Sequence, residues 1–137
     1  MFIDKELELS DSQAVTSSAA STNYIDLSVD ADVGVGKPLW VIMQLDVAAD
    51  AGNSDETYSV ALQTDDNTSF SSATDIATTT ITRGDAAGTG YTMGFPMANE
   101  RYIRLYYTTA GTSPSMTISS WVTDQLPTKW AAYADAI

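Results

Sequence analysis

The sequence predicts an all-β fold, a single antiparallel β-sandwich, and three observations predict it. Apolar and polar residues alternate with a period of two through most of the chain. Clusters of Gly, Pro, Asn and Asp punctuate these alternating runs at the spacing of turns. No run longer than about two helical turns carries a 3.6-residue period. A chain of 137 residues with 44% hydrophobic content suits one domain, residues 1–137, around one core.

Taken in order, Ile3, Leu7 and Leu9 alternate with Asp4, Glu6 and Glu8, which predicts an opening half-buried strand. Ser10 to Asn23 is almost entirely Ser, Ala, Thr, Asp, Gln and Asn, too polar and small to carry a core strand alone. It is expected as an extended arm or long loop, making residues 1–23 a strand plus polar arm. Asp26 to Gly36 alternates weakly and ends in a turn at Gly34-Val35-Gly36-Lys37-Pro38. The clearest strand follows: Leu39, Val41, Met43, Leu45 and Val47 share one face, Trp40 and Ile42 the other. Tyr58, Val60 and Leu62 form the next core-facing set, between turns at Asp50–Asp55 and Asp65-Asp66-Asn67.

The Thr-rich stretch Ala73–Arg83 has high β propensity, but Ile76 and Ile81 differ in parity, which predicts a bulge or a break. Gly84–Gly90 is a glycine-rich loop. Tyr91–Met97 contains Pro96, which cannot donate to a ladder and so belongs at a sheet edge or strand end. In Arg101–Thr109, Ile103, Leu105 and Tyr107 face one way and Tyr102, Arg104 and Tyr106 the other. After the turn Ala110–Pro114, Met116, Ile118 and Val122 alternate with Thr117, Ser119 and Trp121. Residues 125–137 form a C-terminal arm, in which Lys129–Ile137 has the alanines for a helical turn. Seven or eight short strands in so short a chain point to a jelly roll ahead of an immunoglobulin-like sandwich, whose Cys-Trp-Cys spacing is missing.

The charge balance removes whole classes of partner. Eighteen Asp and Glu face six Lys and Arg, a net charge of -12. Such a surface repels phosphate, so neither nucleic acid nor an anionic membrane is expected as a partner. His and Cys are both absent, which excludes Cys-His nucleophiles, thiolate zinc sites and disulfides. No secretion signal or membrane-spanning run is visible.

Carboxylate, hydroxyl or Lys chemistry survives that exclusion, but no catalytic motif is present. Glu6 and Glu8 share a strand's solvent face as neighbours two apart must. Lys5, Lys37 and Lys129 lie in no motif with a serine, and Gly84–Gly90 lacks the Gly-Lys-Ser/Thr ending of a phosphate loop. Asp30, Asp32 and Asp65-Asp66-Asn67 offer oxygen ligands for calcium without the spacing of an EF-hand, and read first as turn formers. The expectation is a protein with no enzymatic activity, no cofactor and no metal.

The aromatic residues are more informative. Trp40 lies opposite a complete core face, and Tyr102 and Tyr106 share the second face of their strand with Arg104. Such groups anchor protein interfaces and stack on sugars, and they also arise where a sandwich covers both faces of its own strands. The candidate interface residues are Trp40, Tyr102, Arg104, Tyr106, Trp121 and Trp130. A sugar-stacking role for Trp40, Tyr106 or Trp121 stays open as the alternative.

The run Ile3–Thr16, then Ser18–Asn23 and Ile25-Asp26-Leu27, resembles the capsid cement proteins of tailed phages, a jelly-roll family first met on a Bordetella phage. The resemblance continues through Gly36-Lys37-Pro38-Leu39, Leu62–Asn67 with Phe70-Ser71-Ser72, and Glu100–Tyr107, and so covers most of the chain up to about Tyr107. It implies a non-enzymatic virion protein on the outer surface of an icosahedral capsid, made in the host cytoplasm, that bridges major capsid protein subunits. It also implies self-association as a homodimer or another homo-oligomer. No contact residue is transferred by it. On this reading Met1–Asn23 and Lys129–Ile137 are expected to order against partners.

Overall fold

In the computed structural model, which describes residues 3–30, 38–96 and 100–126, a short 3-10 turn (Lys5–Leu7) precedes nine strands. These are β1 (Glu8–Val15), β2 (Ala19–Ala20), β3 (Ile25–Asp26), β4 (Leu39–Val47), β5 (Thr57–Asp65), β6 (Thr74–Ile81), β7 (Gly90–Phe95), β8 (Tyr102–Ala110) and β9 (Met116–Thr123).

The pairing is that of one long hairpin folded over on itself. The β5–β6 hairpin lies at its tip; moving outward, β4 pairs with β7, β2 and β3 with β8, and β1 with β9, all antiparallel. Rolling that ladder brings β9 against β4 and β8 against β5. Two sheets result: a front sheet in the order β1-β9-β4-β7, and a back sheet in which β2 and β3 share one side of β8, followed by β5 and β6. This is a jelly roll, the arrangement that the sequence places first, built from nine strands where seven or eight are expected.

Period-two alternation places the core between the sheets. The front sheet contributes Leu9, Val41, Met43, Leu45, Ile118 and Val122, and the back sheet Tyr58, Val60, Leu62, Ile103, Leu105 and Tyr107. Each fully buried Leu, Ile or Met stabilises the fold by about 1.5–3 kcal/mol. One polar link crosses this core. The Tyr107 hydroxyl, on the back sheet, lies 2.8 Å from Ser10 Oγ on β1 and 3.0 Å from Ser120 Oγ on β9. All three residues are fully buried.

That link explains the largest departure from expectation. Ser10–Asn23 is no free arm: it supplies most of β1 and all of β2. Its polar side chains are satisfied inside the fold, since Ser10 also donates to Gln13 Oε1, while Gln13 donates to the Ala20 carbonyl and accepts from Thr22 N–H. An edge strand needs only one neighbour, and β1 follows β9 with register shifts on either side of Ser10, the second containing Ser12, whose φ is +47°. The proposed ordering of Met1–Asn23 against partners is therefore corrected for residues 8–23, which are ordered against this chain's own β8 and β9. The opening strand expected from Ile3 starts at Glu8 instead, with Ile3 52% exposed. The arm 125–137 lies outside the described residues from position 127 on.

Elsewhere the differences are local. Val47, expected in the core, is 56% exposed because a register shift between Leu45 and Val47 reverses its face. The parity change between Ile76 and Ile81 is a bulge within one continuous β6, opposite Leu62 and Gln63. Pro96 follows β7, the edge strand of the front sheet. Gly111 has φ +100°, and a Cβ there would lie 2.5 Å from the Asp55 carbonyl oxygen.

Two measurements follow from this packing. Tyr107→Phe takes from the buried Ser120 hydroxyl its partner on the back sheet, while Ser10 keeps Gln13, and is expected to lower stability to urea by about 1–3 kcal/mol. Burial raises the Tyr107 hydroxyl above its ordinary pKa, only partly opposed by its bonds to Ser10 and Ser120. Its contribution is thus complete below about pH 10 and lost as pH rises through the folded value, so an alkaline titration of stability should fall less steeply in the Phe variant. Gly111→Ala is expected to cost about 1–3 kcal/mol from its backbone angle alone, before the clash with Asp55.

Candidate functional site

Alternation on β8 sends Ile103, Leu105 and Tyr107 inward and therefore sends Tyr102, Arg104 and Tyr106 to the outer face of the back sheet. Each meets a defined neighbour across the strands. Asp65 pairs with Tyr102, Gln63 with Arg104, and Ala61 with Tyr106 on the β5 side; Ala20 pairs with Tyr106 on the other. The two alanines leave room for the Tyr106 ring to lie low beside Arg104.

Arg104 is the centre of this face. Its guanidinium carbon sits 4.2 Å from the centroid of the Phe70 ring and 5.4 Å from that of Tyr106. Its Nε donates to Gln63 Oε1 at 2.9 Å, and Gln63 Nε2 donates to Asp75 Oδ1 at 2.8 Å. The relay Asp75–Gln63–Arg104 thus crosses β6, β5 and β8. Burial lowers the Arg104 pKa, yet a guanidinium stays charged at any ordinary pH.

The surface extends toward β3. Tyr24 meets Phe70 and Tyr102 edge-on, at 6.3 and 5.6 Å between centroids. Arg101 lies over the Tyr102 ring at 4.9 Å and forms a two-pronged ion pair with Asp26 at 2.7 and 2.9 Å. Tyr24 is 48% exposed, and beside it opens a hollow of about 460 Å³ whose lining includes Lys5, Glu8 and Asn23. Lys5 there is ion-paired with Glu8 and Asp11.

Phe70 reaches this face because Asp65 organises its loop. Asp65 is 1% exposed, accepts from the N–H groups of Asn67 and Ser72, and leaves Phe70 in a left-handed turn with φ +49°. Burial pushes the Asp65 carboxyl up, but the bonds from Ser72, Asp66 and Asn67 outweigh it and hold its pKa below the usual range. Asp65-Asp66-Asn67 therefore acts as a turn, and among the described residues no three Asp or Glu are arranged to hold a metal ion.

The six residues singled out by sequence do not form one patch. Tyr102, Arg104 and Tyr106 come together as expected. Trp40 belongs to the front sheet, where it pairs with Gly94 and packs near it. Trp121 is beside Ile42 and Glu8 on the outer face of that sheet but only 4% exposed, so it is part of the folded body and not an accessible anchor. Trp130 lies outside the described residues. Sequence reasoning missed Phe70 and Tyr24. The available signals were a lone aromatic in a run of turn residues, and the outward parity of Tyr24 beside buried Ile25.

A model of the Bbp16 family matches residues 9–122. No curated protein matches the chain. Among solved structures, the chain is similar to the N-terminal endo-1,4-beta-D-xylanase 10B of Clostridium thermocellum, CBM22-1 and GH10 modules, complexed with xylohexaose. Identity is 19% and the TM-score 0.44, with 80% of this chain and 20% of that chain covered, so this chain spans about a fifth of the other's length.

Hydrogen-bonded carboxylates at both ends of the back sheet set the behaviour of the fold in acid. Arg101 and the Ser28 N–H hold Asp26 low, Thr112 holds Asp55 low, and hydrogen bonds outweigh burial at Asp65 and Glu56. Groups with depressed folded pKa values stabilise the fold above their unfolded values and lose that contribution as pH falls through the folded ones. Thermal stability is expected to drop below about pH 4, and Asp65→Asn should make that drop shallower.

Proposed function

The chain belongs to the Bbp16 family of phage proteins, and from that premise we propose that it is a structural virion protein that cements the capsid. It binds the outer surface of an icosahedral shell and bridges neighbouring major capsid protein subunits. It acts without enzymatic chemistry, as a homodimer or a related homo-oligomer. The observation that carries this reading is the family match across residues 9–122, nearly the whole of the two sheets. The chemistry is compatible with it: a net charge of -12 keeps the protein off packaged DNA and off anionic membranes, and no His or Cys is available for catalysis.

The physical logic is mass action. A protein that binds the assembled lattice and not dispersed subunits stabilises the lattice by its binding free energy, about 2.7 kcal/mol per site at a hundredfold excess over Kd. A rigid sandwich with an ordered aromatic and guanidinium face suits that task, because little conformational entropy is lost when it docks. The back-sheet surface around Arg104 is the docking face in this reading.

The test is co-sedimentation of purified protein with phage capsids that lack it, followed by heating with and without it. Saturable binding that raises the temperature of shell rupture is the expected result; absence of binding to any mature shell overturns the proposal. Exposed Tyr24 at the edge of the aromatic face then makes a glycan array the next experiment.

A further inference from the structure

We propose that Arg104 is a pre-organised receptor for a carboxylate side chain on a protein partner, with Phe70 and Tyr106 forming its apolar walls. This rests on the reading that the back-sheet face docks onto protein, and it names the chemistry of what docks there.

The cationic side chains of the described residues divide clearly. Lys5 is ion-paired with Glu8 and Asp11, and Arg101 uses its fork on both oxygens of Asp26. Arg83 donates to the Ser54 carbonyl at an exposed position. Arg104 alone is wedged between two rings, and only its Nε is engaged among the described residues, by Gln63. Its two terminal amino groups have no hydrogen-bond partner there. Asp65 is the nearby acid, but its oxygens accept from the Asn67 and Ser72 N–H groups, and it forms no ion pair with Arg104.

This is an unusual way to hold a charge. Removing a guanidinium partly from water costs free energy, and the nearby Asp65 charge offsets that cost only in part, without a hydrogen bond to the group. Ring faces and the Gln63 carbonyl fix the group's orientation while leaving its two terminal amino groups for a planar, two-oxygen acceptor. In a chain with net charge -12, a phosphate polymer is repelled by the surroundings of such a site, whereas a single Asp or Glu on a protein surface brings the matching geometry with far less charge. The aromatic walls exclude water around the pair, as at the centre of a protein interface.

The experiment has two arms. In the first, the full chain, labelled to observe Arg Nε–Hε groups by NMR, is titrated with capped tetraglutamate, capped tetraglutamine and an oligothymidylate. A saturable shift at Arg104, and at the Phe70 and Tyr106 rings, with tetraglutamate alone supports the inference. No shift at millimolar peptide, an equal shift with tetraglutamine, or a larger one with oligothymidylate overturns it.

In the second arm, Arg104→Gln and Arg104→Lys are compared with the unaltered protein for binding to capsids lacking it, after thermal unfolding confirms that both are folded. Loss of about tenfold or more in both is expected, because Lys lacks the fork. Undiminished binding of Arg104→Gln overturns the inference and leaves the cement reading intact. Capsid binding absent even for the unaltered protein, with the tetraglutamate response retained, removes the cement reading and supports the carboxylate site.

Discussion

The register of β8 is the constraint on which the rest of the structure depends. It is fixed on one side by β5 along its full length and on the other by β2 and β3. Because side chains alternate, that single register decides two things at once. Ile103, Leu105 and Tyr107 complete the core, and Tyr102, Arg104 and Tyr106 define the outer face. A slip of one residue would bury the guanidinium and expose the leucine. The inward set therefore guarantees the outward set, and the energy that holds the surface in place is the hydrophobic energy of the core beneath it.

Tyr107 extends this control to the other sheet. Its hydroxyl reaches Ser10 and Ser120, so the polar edge strand β1 is held at a specific height against a back-sheet residue. A buried hydroxyl without partners is costly, and that penalty disfavours other pairings of a segment with little apolar side chain to set its own register. The result is a closed body whose first strand is specified by hydrogen bonding more than by burial.

This difference explains what the sequence made legible. β4, β5, β8 and β9 carry apolar alternation, and their inward apolar residues were readable from it apart from Val47, which a register shift turns outward. So was the sandwich, from strand count and turn spacing, with the missing Cys-Trp-Cys spacing placing the jelly roll ahead of an immunoglobulin-like arrangement. β1 and β2 were not readable, because Ser10, Gln13 and Ser120 encode partnership with atoms distant in sequence, and composition alone describes such a segment as a loop. The same holds for the site. Tyr102, Arg104 and Tyr106 follow from parity, whereas Phe70 arrives through an Asp65-centred turn that no periodicity reports. Trp121 shows the converse error: parity placed it outward correctly, but outward on a sheet is not the same as accessible.

The electrostatics then take on a specific meaning. With eighteen acidic residues and six basic ones, the easiest arrangement pairs every cation with a nearby carboxylate, as Lys5 and Arg101 are paired. Arg104 departs from that arrangement in a chain where carboxylates are abundant, and its nearest acid is engaged by backbone N–H groups. The relay from Asp75 through Gln63 orients the guanidinium without neutralising it at close range. Stacking against Phe70 and Tyr106 restricts its rotamers before any partner arrives, so the entropy that an exposed arginine loses on docking is already lost during folding. The stability of the sandwich thus supports, through β8, a half-buried and oriented charge.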